Sequence, residues 1–359
     1  MKPPHVFISI VTFQSADTVG ACLDALLRLE HYTVGENLTI EVHDNASCDE
    51  TCVLVREQYG ASVTLIEHRV NLGFAAAHNV AVSRYLQSDA DYFLVLNPDL
   101  ALAAPALEKL VLAIEKFERV GAVCPLLLRA DDDLRLLEPA RVDSAGIVVT
   151  PSLRHFDRGA DSEALEQYQS EEFVFGGTGA CLLLSRAFVE DVSFRGEHHE
   201  EDLFKVYPEL QEGMGHRTQL FDEAFFAYRE DADLAWRAQR LGWRCLFVPE
   251  AFGFHKRLVT PERRAELPET INRLGVKNRF LLQRNNLRLL SYPRVWWQGL
   301  IVRNLIVVLG VLLKERSSLK GLREAWVLRK RARERFCMVE QRTKVSAREV
   351  AKWFGGVGG

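Results

Sequence analysis

The sequence predicts an α/β protein: a mostly parallel, doubly wound central sheet with flanking helices, followed by a helical C-terminal region. Three observations carry this. Strand-like and helix-like stretches alternate over residues 6–128, the rhythm of crossover connections between parallel strands. The strand-like stretches are short, unbroken apolar runs, as expected of strands covered on both faces. From residue 268 onward the pattern is helical to the end.

In order, "VFISIVTF" (6–13) reads as a buried strand, and "TVGACLDALLRL" (18–29) sets Val19, Cys22, Leu23, Leu26 and Leu27 at helical spacing. "LTIEVHD" (38–44) is a second strand. "ETCVLVREQY" (50–59) is a helix with Asp49 as candidate N-cap and Gly60 as its stop. A third strand at "SVTLIEH" (62–68), a helix at "FAAAHNVAVSRYL" (74–86) and a fourth strand at "YFLVLN" (92–97) follow. A further helix is expected over about 105–118 and a strand at "GAVCPLLL" (121–128). The rhythm breaks after Arg129, and 150–170 is charged with little periodicity. Order resumes at "FVFGGTGACLLLSR" (173–186). The polar stretch 195–219 reads as a loop or lid, "CLFV" (245–248) as a strand ended by Pro249, and the terminal "GGVGG" as a mobile end.

At 359 residues the chain suffices for one large domain or two ordinary ones. Its net charge of −4 gives no global reason to expect a nucleic-acid partner. The seven cysteines are odd in number and include no CxxC pair, so free thiols in a reducing cytosol are expected. The N-terminus lacks the long apolar core of a signal peptide, which points to a cytoplasmic location.

In a sheet of this kind ligands bind beyond the carboxyl ends of the strands. Those ends carry Thr12 and Phe13, then Asp44, Asn45 and Ser47, then "RVNLGFAAAHN", then Asn97 to Asp99. Each alone reads as a turn former; their shared edge is the signal. No GxGxxG or GxxxxGK[ST] is present, which disfavours dinucleotide and P-loop chemistry. "GGTGA" (176–180) fits equally a tight turn and a ligand-facing loop.

"FFAYREDADLAWRAQRLGW" (225–243) crowds Glu230, Asp231 and Asp233 at the mouth of a helix that Gly242 would stop. Asp231 shares a face with Leu234, Ala238 and Leu241, so it points toward the interior edge, where the helix dipole favours an ionised acid. That suits a general base. Asp233 reads best as a charge complementing the helix N-terminus, while Glu230 could go either way. Asp99 and His255 could jointly hold Mg²⁺ or Mn²⁺ with a nucleotide diphosphate supplying further oxygens.

"SIVTFQSADTVGACLDAL", "HDNASCDET", "NLGFAAAHNVAV", "LVLNPDL", "GGTGACLLLSR", "FDEAFFAYREDADLAWRAQRLGW" and "VPEAFGFH" occur in the order found in family 2 glycosyltransferases of the GT-A fold. Across about 6–290 the chain resembles that family, and most closely its rhamnosyltransferase-like branch. The resemblance implies a GT-A domain over 1–267, with a donor half at about 1–130 and an acceptor half at about 170–260, followed by a helical extension over 268–359. It implies that Thr12, Phe13 and Asp44 border the nucleobase and ribose of a nucleotide-sugar and that Asn71, Gly73, Phe74 and Asn79 line the donor pocket. "NPD" stands where many relatives carry DxD, so Asp99 is the implied metal or diphosphate contact, and Asn97 in place of the first acid weakens the metal assignment. Asp231 matches the family's base and His255 a position near the metal. Trp236 and Arg237 could border the acceptor, though a packed Trp and a solvated Arg fit those positions better.

The implied activity is inverting transfer, with dTDP-L-rhamnose as donor by analogy, to a saccharide or lipid-linked saccharide hydroxyl. A UDP-sugar donor and a non-catalytic nucleotide-sugar-binding protein are the alternatives. A nucleotidyltransferase would want a Gly-rich basic loop after the first strand, and "QSADT" is not one.

"VWWQGLIVRNLIVVLGVLL" (295–313) is apolar but interrupted by Arg303 and Asn304, so an interfacial or packed helix is expected instead of a bilayer crossing. Lys314 to Arg335 holds nine Lys or Arg against three Glu, net +6, a segment suited to anionic lipid or, alternatively, to an oligomer contact or a solvated helix.

Overall fold

A computed structural model describes residues 3–196, 200–211, 218–257, 268–288, 292 and 295–355. The first half follows the expected alternation: β1 (Val6–Thr12), α1 (Val19–Leu26), β2 (Leu38–Asp44), α2 (Thr51–Tyr59), β3 (Thr64–Glu67), α3 (Gly73–Tyr85), β4 (Tyr92–Leu96), β5 (Leu100–Leu102), α4 (Ala106–Ile114) and β6 (Val120–Arg129). Then come β7 (Val142–Ser144), β8 (Ile147–Val149), β9 (His155–Asp157), β10 (Glu172–Val174), β11 (Cys181–Ser185), α5 (Arg186–Val192), α6 (Glu200–Val206), α7 (Glu230–Arg240), β12 (Arg244–His255) and α8 (Glu269–Asn286).

Ten strands form one sheet whose main path runs β10-β12-β6-β11-β4-β1-β2-β3, while β8 and β9 make a separate hairpin. Pairs β1–β2, β1–β4, β2–β3 and β6–β12 are parallel. β11 runs antiparallel to both β4 and β6, so the sheet is mixed at its centre. Both faces are covered: β1 sends Val6, Ile8 and Ile10 into a core shared with α1, α2 and α4, and Phe7 into one shared with α3, α5 and α7. This is why its sequence is apolar at nearly every position. A third core joins Trp236 and Phe225 to Leu281, Tyr292, Leu328 and Phe354 of the C-terminal region.

The chain builds outward from β1 to β2 and β3, then returns to β1's other side with β4. That reversal is a switch point, and polar residues follow the strands that flank it. β12 corrects one expectation. It does not end at Pro249 but continues to His255, with a register shift between Val248 and Phe252; a bulge is where a strand tolerates proline. The extension pairs His255 with Leu100 of β5, next to Asp99.

The stretch expected to be a loop or lid is in part α6 and a tight turn at Pro208–Leu210, with Leu203, Tyr207 and Leu210 buried. Its remainder at 197–199 and 212–217, and the tail at 356–359, lie outside the described residues. The helical expectation for the C-terminal region holds. α8 is followed by a helix over Trp296–Leu313, whose first turns are wide π-type, and by helices Leu319–Val327, Arg329–Arg342 and Ala347–Ala351. All seven cysteines are free.

Candidate active site

A cavity of about 420 Å³ opens where β4, β12, the 176–180 loop and the N-terminus of α7 converge. Phe74, Asn97, Asp99, Glu230, Asp231 and His255 all line it, so six of the expected site residues share one cleft.

Asp231 sits in the first turn of α7. One carboxylate oxygen accepts from the Gly179 amide at 3.2 Å and the other from the Ala232 amide at 2.7 Å. Burial pushes its carboxyl above the ordinary range, and those amides together with Arg229 oppose the shift. The expectation of a fully ionised acid at the helix mouth is therefore moderated: the helix amides hold the charged form against desolvation. Glu230 beside it is buried, and burial plus the Asp231 charge raise it well above the carboxylate range. Its Oε2 has no hydrogen-bond partner. The pair is thus unequal: both carboxyls are raised, Glu230 by more burial and the neighbouring charge, and Asp231 is the one whose charged form the amides support.

The loop feeding α7 is strained. Phe226, Tyr228 and Arg229 have φ of 66°, 70° and 74°, the left-handed region that side chains rarely occupy. α8 holds it there. Asn278 Nδ2 donates to the carbonyls of Phe225, Ala227 and Tyr228 at 3.0, 2.8 and 2.7 Å. Fully buried Lys277 donates to the Ala224 carbonyl at 2.5 Å and to the Tyr207 hydroxyl, and burial brings its ammonium down to about 7. From the other side Gly73, at φ 76°, lets the loop pass: a Cβ there would lie 2.6 Å from the Phe226 carbonyl oxygen.

His255 forms the cleft's second pole. Its Nδ1 is 2.7 Å from Asp143 and its Nε2 3.2 Å from Asp99 Oδ1, with the Asn97 amide 3.4 Å away. Burial pushes the imidazole down, but the Asp143 and Asp99 carboxylates outweigh it and raise it to about 10. Asp99 Oδ1 is buried, and its near neighbour is the His255 imidazole. A carboxylate oxygen beside an imidazole nitrogen whose far side is held by a second carboxylate is a donor set that fits a divalent cation once the cation displaces the imidazole's Nε2 proton. Among the described residues no group of three or more His, Cys, Asp or Glu is arranged for a metal, so further ligands would have to come from a bound molecule. Arg257, paired with Asp143 and Asp157, and Arg229 line the same cleft.

The remaining expected residues lie outside this cavity's lining. Thr12 donates to Asp44 Oδ1 at 2.8 Å, and Asp44 also accepts from Ser47, so the buried carboxylate is held rigidly at the ends of β1 and β2, with Phe13 exposed beside it. Asn71 Oδ1 accepts from the Gly73 amide at 2.8 Å, a side-chain turn just before α3. Two expectations need correction. Asn79 is fully buried and bonds the Phe221 backbone and Glu223; it braces α3 and does not line this cavity. Arg237 is not solvated: it is buried over Phe194 and donates to the Val192 and Leu220 carbonyls. Trp236 is fully buried, its ring 4.9 Å from that of Phe354, which agrees with the packed reading and not with an acceptor border. Asp233 likewise faces inward and accepts from Asn285 and Asn286 at 3.1 and 2.6 Å.

Sequence reasoning missed Asp143, His155, Asp157, Tyr228, Arg229 and Arg257. Asp143 is 112 residues from His255, and no local pattern announces such a pairing.

With this geometry in hand, the family model described as "Glycosyl transferase family 2" matches residues 7–192. The chain belongs to glycosyl transferase family 2. It is 26% identical over 235 residues, 61% of this chain and 66% of the relative, to a Mycobacterium tuberculosis protein named N-acetylglucosaminyl-diphospho-decaprenol L-rhamnosyltransferase. The match thus spans slightly under two thirds of that relative's length. Among solved structures, GalNAc-T7 with UDP, GalNAc and Mn²⁺ superposes with a TM-score of 0.53 at 12% identity, covering 78% of this chain and 47% of that one. S. aureus TarS 1-349 in complex with UDP-GlcNAc gives 0.51 at 12% identity, covering 98% and 89%. These likenesses establish the GT-A fold and nothing finer.

Proposed function

We propose that this family 2 protein is an inverting glycosyltransferase that moves a sugar from a nucleotide-sugar to a hydroxyl of a saccharide or lipid-linked saccharide in cell-surface polysaccharide synthesis, on the cytoplasmic side of the membrane. The donor assigned is dTDP-L-rhamnose, a choice supported by the rhamnosyltransferase named above. The observation that carries the reading is the shared cleft: Asp231 at one wall, Asp99 with His255 at the other.

In the proposed reaction Asp231 takes the proton of an acceptor hydroxyl. That oxygen attacks the anomeric carbon from the face opposite the nucleoside diphosphate, and the configuration inverts. The Gly179 amide and the helix mouth keep Asp231 oriented and available as a base. Glu230, whose carboxyl burial and the Asp231 charge push upward, would donate a hydrogen bond to the acceptor in its protonated form. Asp99 and His255 would hold Mg²⁺ or Mn²⁺, which when bound supplies charge that stabilises the departing diphosphate. Thr12, Phe13 and Asp44 would border the base and ribose, with Asn71, Gly73 and Phe74 shaping the donor side.

The test is Asp231→Asn. Transfer is expected to fall by ~10²-fold or more with unchanged Tm; equal rates would remove Asp231 from the mechanism. A thermal-shift panel of dTDP- and UDP-sugars, with and without Mn²⁺, identifies the donor. A dTDP-sugar that raises Tm only with the cation is the expected result.

A further inference from the structure

The helix Trp296–Leu313 has two unlike faces. Trp297, Ile301, Leu305, Leu309 and Leu312 recur every three or four residues and all are exposed, Trp297 by 58% and Leu305 by 56%. The opposite face is pinned. Gly299 backs onto Leu153 so closely that a Cβ would lie 2.7 Å from its side chain. Asn304 exchanges hydrogen bonds with Gln283 and accepts from Arg279 at 2.8 Å, while Arg279 also holds the Leu153, Ser152 and Gly299 carbonyls. The wide turns over Trp296–Arg303, closed by i→i+5 bonds, help to keep Gly299 and Asn304 on this inward side. The interruption that Asn304 makes in the apolar run is thus the helix's attachment to α8.

We infer that the outward face docks in the interfacial plane of an anionic bilayer, lying along the membrane without crossing it. Charge names the occupant. Lys314, Arg316, Lys320, Arg323, Lys330 and Arg333, in the residues that follow the apolar face along the chain, are exposed, as is Trp326 by 61%. Such cations attract anionic headgroups, and tryptophans favour the headgroup boundary. A second copy of the chain would bring the same cations toward one another. Arg331 and Arg335 do not belong to this patch, because both are buried against Asp222 and Gln219; the +6 segment is less basic at its surface than its sequence.

Crossing is excluded by attachment at both ends. Tyr292, before the helix, packs on Trp236 and Phe354, and Leu319–Val327, after it, packs on α8 with Gly321 against the Arg273 carbonyl. By length and composition alone the eighteen residues could span a bilayer, so it is the two attachments that keep the helix along the surface. On the helix's inward face Leu153 ties it to the β8–β9 hairpin, whose Ile147, His155 and Asp157 line the cleft. Delivery of a lipid-linked acceptor at that rim rests on the proposed function; the docking itself does not.

Flotation of the full chain with vesicles tests it, using phosphatidylcholine alone and phosphatidylcholine with one third phosphatidylglycerol. The chain is expected to float at least about tenfold more with the anionic vesicles and to be released by alkaline carbonate. Trp297→Ser combined with Leu305→Asp should cut flotation about tenfold while leaving Tm and donor hydrolysis unchanged. A chain that stays at the bottom with both vesicles, one that resists carbonate, or a concentration-dependent dimer broken by the same pair would each overturn the inference. Absence of donor hydrolysis with flotation intact would count against the proposed function alone.

Discussion

Three neighbouring acids at one helix mouth end in three environments, and their sequence explains only part of that. Asp231 meets an amide and lines the cleft, Glu230 is desolvated and its carboxyl pushed upward, and Asp233 is tied to α8. Helical spacing was enough to single out Asp231, because a first-turn acid in register with Leu234 and Ala238 must face the interior edge. The same spacing could not tell that Arg237 would be buried, since its acceptors, the Val192 and Leu220 carbonyls, come from other segments. His255 was legible as a residue and illegible as a pair: Asp143 reaches it through β7, which lies in the unpatterned stretch after Arg129. Asp143→Asn is therefore expected to weaken Mn²⁺ binding about 10–100-fold in the presence of a nucleoside diphosphate, measured by titration calorimetry, and to lower Tm, because the carboxylate is buried against His255, Arg129 and Arg257.

At the scale of elements, strands buried on both faces were the easiest to read, because an unbroken apolar run has few other solutions. The direction of β11 was not readable: an antiparallel insertion and a parallel neighbour bury the same side chains. Nor was the length of β12, since Pro249 argues locally for a stop and only the bulge and β5 pairing override it. The loop over α7 depends on elements on both sides. Asn278→Ala removes donors from three loop carbonyls, and the expected cost is about 1–3 kcal/mol in urea unfolding. A fall in kcat larger than the change in KM should accompany it, because the loop orients Asp231 and Glu230. Gly73→Val should likewise lower Tm, since it combines a positive φ with a clash against the Phe226 carbonyl.

For the whole molecule, the division at residue 267 that the pattern suggests is a boundary in sequence but not in packing. Arg331, 109 residues downstream, neutralises the buried Asp222, and Asn285 donates to the same carboxylate. Burial pushes Asp222 up, yet Arg331 and Arg335 outweigh it and hold the carboxyl well below the ordinary range. A depressed carboxylate contributes stability above its unfolded value, and that contribution is lost as pH falls. Urea stability should therefore decline as pH drops below about 4, and Asp222→Asn should flatten that decline at the expense of stability at pH 7. A chain ending at residue 267 is expected not to fold: it would leave a buried pair broken, costing about 3–5 kcal/mol, and also strip the C-terminal half of the core around Trp236 and Phe225, against a total stability of about 5–15 kcal/mol. Circular dichroism of the truncated chain checks this. The same pairing has a consequence during synthesis. At about 5–20 residues per second, a ribosome needs roughly 5–22 s to travel the 109 residues from Asp222 to its guanidinium. Throughout that interval the nascent Asp222 carboxylate, a short loop upstream of α7, has no guanidinium to neutralise it, so this part of the cleft's support is completed only after residue 331 is made.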